Sequence, residues 1–381
     1  MSHLVNPFVL IASVSLVLGL ATGFVMHRSD FCMAGMFRDL FLFRRTVMLK
    51  SIILLVVATM VLFEVARQAR LITVPFPLLY PPTAANFVAG LIFGIGMIFA
   101  GGCFLGTLYK TGAGSVLSLT AFLGLIVGSG LYAEVHPAWS AFAESTVLFP
   151  GKVTVAQILG VDPLIPVLAA AIPGLLLVFY WQRTGSMTRQ SFAAGYVQPA
   201  KAALAIALIS TASYILIGMP MGITSALTKI AGFFESILFR DHFEGLAFFK
   251  TMPLNTTHPF TGAVLQGGPG PAVDALSAIQ FPLVFGIIAG SALSAGLLRE
   301  FNVCWRLPFR QYVLAASGGI LMGIASPMAP ICNVWHLMGG VPILAASSLL
   351  FFLGIIPSVW IGCWLLVKAL GQNDVDATCI K

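Results

Sequence analysis

Pro327-Met328-Ala329-Pro330-Ile331-Cys332-Asn333-Val334-Trp335-His336-Leu337-Met338-Gly339-Gly340 sits inside a run from Gln311 to Val367, 57 residues without one Asp, Glu, Lys or Arg. A helix crosses the hydrocarbon core in about 20 residues, so this run must turn back on itself. Ordinary exposed loops carry charge, and this turn carries none. It is therefore expected at membrane depth, packed against protein or lining a cavity, where irregular backbone is tolerated. The stretch makes the chain an all-α polytopic membrane protein with broken helices.

The remaining sequence agrees. Of 381 residues, 59% are hydrophobic and only 9% charged, against about 25% charged in soluble domains. The lack of period-two alternation excludes an outer-membrane barrel. The net charge of +7 is the bias of a chain whose Lys and Arg collect in cytoplasmic loops, and it does not indicate nucleic acid. Residues 1–6 hold no Lys or Arg and no cleavage pattern follows, so 7–26 reads as a first span and not a signal peptide.

Stretches without charge, apart from Lys50 in the first, mark the other spans at 47–63, 86–100, 114–133, 164–182, 202–219, 282–298, 312–329 and 341–367. Two apolar pieces, 31–43 and 222–239, are too short to cross alone and read as half-helices or re-entrant segments. Basic clusters at Arg28–Lys50, Arg183–Lys201 and Arg299–Arg310 mark the cytoplasmic loops. The segment 240–281, rich in Gly, Pro and Thr, reads as a surface loop between spans.

A shift of 229 positions lays 319–355 on 90–126 with nine identities, among them Cys332 on Cys103. Composition alone gives about three or four. Thr22-Gly23-Phe24-Val25-Met26 corresponds more loosely to Ile217-Gly218-Met219-Pro220-Met221. Two related halves are expected, 1–200 and 201–381, with the 240–281 loop inserted in the second. Sites in such proteins form where broken helices of the halves meet.

Gly101-Gly102-Cys103-Phe104-Leu105-Gly106 is the densest local signal. Glycines permit a sharp turn and close approach of a ligand to the main chain, and a helix starting there aims free N–H groups at an anion. The competing reading is a small buried hydrophobe beside packing glycines; the matching Cys332 weighs against it. Cys32, after Arg28-Ser29-Asp30-Phe31, opens the first short apolar piece and has Leu227 at its second-half counterpart. Lys110 reads as a snorkelling side chain and His336 as a structural hydrogen-bonding residue. Cys363 reads as packing, and Cys304 and Cys379 as incidental. With no Cys-x-x-Cys, no Cys-Pro-Cys, no zinc-protease or nucleophile-elbow motif and no mid-span carboxylate pair, the chain is not expected to be an enzyme or to hold a metal or cofactor. From the residues alone, four readings stay open: a transporter, a membrane thiol oxidoreductase, a Cu(I) carrier and a passive channel.

Arg28-Ser29-Asp30-Phe31-Cys32-Met33-Ala34-Gly35 and Gly101-Gly102-Cys103-Phe104-Leu105-Gly106, with Cys332 in the second half, resemble the YeeE/YedE family of sulfur transporters. The likeness runs over most of the chain in span order. It implies a multi-pass protein of the bacterial inner membrane, in lipid, with short inward-pointing helices meeting near the membrane centre. It implies thiosulfate, or a related sulfur or selenium anion, as cargo. Cys32, Cys103 and Cys332 would line the path, with Arg28, Gly35, Gly101, Gly102, Gly106 and Asn333 beside them. It also implies a cytosolic TusA-like sulfur-carrier protein as partner; the last eleven residues are too short to be that domain.

Overall fold

A computed structural model describes residues 7–189 and 195–370. Residues 1–6, part of the second basic cluster, and the tail with Cys379 lie outside the described residues. The order is α1 (Pro7–Ser29), α2 (Met33–Phe41), α3 (Val47–Gln68), α4 (Ala84–Phe99), α5 (Phe104–Gly112), α6 (Val116–Ser145), α7 (Val155–Leu159), α8 (Leu164–Arg183), α9 (Pro199–Ile217), α10 (Thr224–Leu238), α11 (Arg240–Gly245), β1 (Leu254–Thr257), β2 (Val264–Gly267), α12 (Ala275–Leu298), α13 (Phe309–Met328), α14 (Asn333–Trp335) and α15 (Ala346–Leu370). The nine stretches fall on α1, α3, α4, α6, α8, α9, α12, α13 and α15. Among the described residues, eight helices are long and apolar enough to cross a membrane, or nine if a bent pair counts as one span.

That bent pair is the uncharged run itself. α13 breaks after Met328 and the chain resumes at Asn333 with a 61° change of direction. After α14 it continues through one wide turn, His336–Gly340, and a tight turn, Val341–Ile343. The two short apolar pieces form α2 and α10, and α5 is a third half-helix of nine residues.

Lipid tails are as apolar as leucine, so helices in a membrane associate through close packing at small residues. The glycines of this chain sit where that predicts. A Cβ on Gly19 would lie 2.5 Å from the Leu283 carbonyl oxygen, joining α1 to α12. Gly94 meets Ser358, joining α4 to α15, and Gly323 meets Ser129 and the Leu125 carbonyl, joining α13 to α6. The long contacts of the bundle are thus α1 with α12, α3 with α9, α4 with α15 and α6 with α13.

The basic loops gather at one end. Arg28 donates from Nη1 to the Gly195 carbonyl at 3.0 Å, Lys50 to the Ser186 carbonyl at 3.4 Å, and Tyr196 to Glu300 at 2.8 Å. The opposite end joins the start of α4 to the end of α6, where Thr83 bridges to Val147, and joins Thr154 to Ala345. The 240–281 segment is more ordered than the surface loop expected of its composition. It holds α11, one tight helical turn and the β1–β2 hairpin, and its last residues are already the first turns of α12. Lys229 on α10, 2% exposed, ties it down by donating to the Gly270 and Ala272 carbonyls and to Asp274 Oδ2, at 2.8, 2.8 and 2.7 Å.

Candidate functional site

Cys32, Cys103 and Cys332 occupy the same local position three times. Each is the residue immediately before a short helix, in extended backbone conformation, at α2, α5 and α14. In each case its carbonyl accepts the first helical hydrogen bond, from Met36, Thr107 and His336 respectively. Ser, Thr, Asp and Asn are the usual residues at that place; here it is a thiol all three times. All three are buried and free.

Cys32 and Cys103 are brought together. Their thiols converge on Gly106, which has no side chain to fill the space between them. A Cβ there would lie 2.7 Å from Cys32 Sγ and 3.5 Å from Cys103 Sγ. Cys103 Sγ also accepts the Gly106 N–H at 3.4 Å. The register between α2 and α5 is set by Tyr109, whose hydroxyl donates to Asp30 Oδ1 at 2.9 Å. Asp30 turns the chain between α1 and α2 at φ 50°, a left-handed conformation that short polar Asp tolerates better than most residues. Ser291 on α12 fixes α5 from the other side by donating to the Tyr109 carbonyl.

The remaining expected residues divide. Gly101 takes φ +67° after α4, and nothing lies within 4 Å of where its side chain would be. Its carbonyl accepts the Lys110 ammonium at 2.8 Å; this lysine folds back onto the turn, where a snorkelling reach was expected. Gly102 is buried beside Thr107. Gly35 packs on Cys32, 3.6 Å from Cβ to Cβ as alanine. Asn333 follows Cys332 at 1% exposure, with no partner for its Oδ1, and its helix abuts α5. Arg28 is not brought into this group. Its Nε donates to Ser294 at 3.1 Å and its Nη1 to Gly195, on the basic face. His336 bonds Ser348 at 2.8 Å and stacks on Phe351. Cys363 is buried in α15.

A cavity of about 430 Å³ opens at the end opposite the basic loops, lined by Asn86, Tyr132, His136, Thr224, Ser225 and Thr228 among others. Met328 and Pro330 form part of its wall, so it reaches the broken turn two residues before Cys332. Sequence reasoning missed this cavity, since its walls come from six separate segments. It also missed Thr107 and Tyr109. Thr107 had a signal: Cys103, Gly106, Thr107 and Lys110 share one helix face at spacings of three, four and seven.

A helical bundle whose interrupted helices meet in its interior, with a cavity leading to them, is the architecture of a membrane transporter. The Sulphur transport family matches residues 28–365, and the chain belongs to that family, the YeeE/YedE sulfur transporters; it is a multi-pass protein of the inner membrane. It is 29% identical over 370 residues to the thiosulfate transporter TsuA of Spirochaeta thermophila, covering 93% of this chain and 98% of that one. It is 25% identical to the thiosulfate transporter TsuA of Escherichia coli, covering 92% and 93%. To the probable transporter YedE of Escherichia coli it is 27% identical over 171 residues, 44% of this chain.

Proposed function

We propose that the chain imports a sulfur oxyanion, thiosulfate first, by passing it along Cys332, Cys103 and Cys32. The observation that carries this reading is the placement of a free, buried thiol at the start of three half-helices, two of them converging on Gly106. Thiosulfate has a soft terminal sulfur and hard sulfonate oxygens. Neutral thiols offer the sulfur weak S–H donors, while helix-start N–H groups hold the oxygens. Contacts that are weak and multiple allow release, which arginines would hinder. The cavity serves as the outer entrance and the basic face as the cytosolic exit, where a TusA-like sulfur carrier collects the product. The two TsuA relatives, matched over nearly their full length, support thiosulfate as the cargo.

The reciprocal packing supports two related halves, 1–200 and 201–381. α4, α5 and α6 correspond to α13, α14 and α15, and the first helix of each of these triplets packs on the last helix of the other: α4 on α15, α13 on α6. The halves insert in opposite directions, as in transporters that form their site between inverted repeats.

Growth of a thiosulfate-dependent strain tests the function. Wild-type chain restores growth; Cys103→Ala, inserted at the wild-type level, does not; Cys363→Ala does. Growth supported by Cys103→Ala would remove the thiol route. Growth on another sulfur or selenium anion but not on thiosulfate would reassign the cargo.

A further inference from the structure

The hydroxyl of Thr107 has no partner although the residue is 1% exposed. Its isolation is a matter of rotamer. Thr22, Thr59, Thr111, Thr120, Thr211 and Thr228 all lie in helices of this chain, and each donates its hydroxyl to the carbonyl four residues earlier, at 2.7–3.1 Å. That bond is available to any helical threonine. Thr107 forgoes it toward Cys103 and turns its oxygen to Gly102, where a Cβ would come within 3.3 Å of Oγ1 and 3.1 Å of the Thr107 nitrogen. Glycine at 102 leaves the space in front of the hydroxyl unfilled by a side chain. A buried hydroxyl without a partner costs about 1–3 kcal/mol and calls for an explanation, which a bound anion can supply.

The neighbours define that ligand. The hydroxyl stands one helical turn from Cys103 Sγ, on the same face of α5 as Gly106, where the two thiols meet. The face thus offers a soft contact beside a hard hydrogen-bond donor, and an anion carrying sulfur at one end and oxygen at the other matches both.

We propose that Thr107 is the specificity-determining residue for the oxygen end of the cargo: its hydroxyl donates to a sulfonate oxygen while Cys103 and Cys32 hold the terminal sulfur. The assignment rests on the thiol route proposed above and adds to it a discrimination in favour of oxyanions that thiols alone do not provide. No bond is made or broken, and the hydroxyl gains in the loaded state the partner it lacks in the empty one.

Initial rates of labelled thiosulfate uptake into proteoliposomes, measured across substrate concentrations, test it. A hydrogen bond to a charged group is worth enough for about a tenfold change in affinity. Thr107→Val therefore raises KM about tenfold or more with the maximal rate kept within about twofold, and Thr107→Ser returns KM to near wild type. Gly102→Ala places a methyl against the hydroxyl and raises KM with Thr107 still present, which keeps the test decisive if the valine variant fails to insert. A Thr107→Val or Gly102→Ala protein with wild-type KM, or a serine variant as impaired as the valine one, overturns the assignment and leaves the thiol route standing. Absence of uptake by the wild-type protein would overturn the route itself.

Discussion

Gly106 is where the site tolerates least change. A methyl group there would stand 2.7 Å from Cys32 Sγ, closer than real Cβ atoms come to a neighbour, so the Cys32 thiol must turn away from Cys103 to admit it. Gly106→Ala is expected to cut uptake more than tenfold while the protein still inserts and elutes as a single species in detergent; unchanged uptake would mean the two thiols need not meet. Tyr109→Phe removes the bond to Asp30, worth about 1–3 kcal/mol when the acceptor is charged. It should lower the midpoint of thermal unfolding and the uptake rate together. The Cys103 turn and its glycines were legible in the sequence because their types and spacing carry the message. The pairing of Cys32 with Cys103 was only half legible: both cysteines could be nominated, but their contact depends on Asp30 turning the chain and Tyr109 gripping it, two residues of unremarkable type.

Elements were easier to anticipate than their junctions. Apolar runs of 13 and 18 residues announced α2 and α10 because they are too short to cross the bilayer, and the uncharged run to Val367 announced the break at Cys332. The 240–281 segment was read as loop because its hairpin is short, anchored by Leu254 and Leu265 in the core, and the chain after it is tied down by one ion pair and two carbonyls, which composition does not reveal. Lys229→Met leaves the largely buried Asp274 without its cation, and since breaking a fully buried pair costs about 3–5 kcal/mol, a loss below that range is expected, read as a fall in the melting temperature with early proteolysis near the hairpin. α11 is attached through His242, which bonds Glu235 at 2.8 Å and faces Glu134 at 3.2 Å. The hydrogen bond to Glu235 and the charge of Glu134 raise its pKa above the ordinary 6.5. The protonated link is complete below that ordinary value and is lost as pH rises through the raised one. Protection of the amides across 240–250, taken as the exchange rate relative to the intrinsic rate at each pH, should fall from pH 6 to pH 9, and His242→Gln should abolish that fall.

At the scale of the whole molecule, α4 packs on α15 and α6 on α13, with α5 held against α12 and α6 and α2 against α3, while basic residues gather on one face and the cavity opens on the other. The sequence shift of 229 matched Cys103 with Cys332, while the first pair of segments had drifted further, with Leu227 opposite Cys32, so that α1 and α9 were matched only loosely, through Thr22–Met26 and Ile217–Met221. The central claim is that the anion crosses by way of the thiols. Uptake of labelled thiosulfate into proteoliposomes containing the Cys103→Ala protein tests it most directly. The account predicts uptake at the level of empty liposomes, alongside full uptake by Cys363→Ala; wild-type uptake by Cys103→Ala would contradict it.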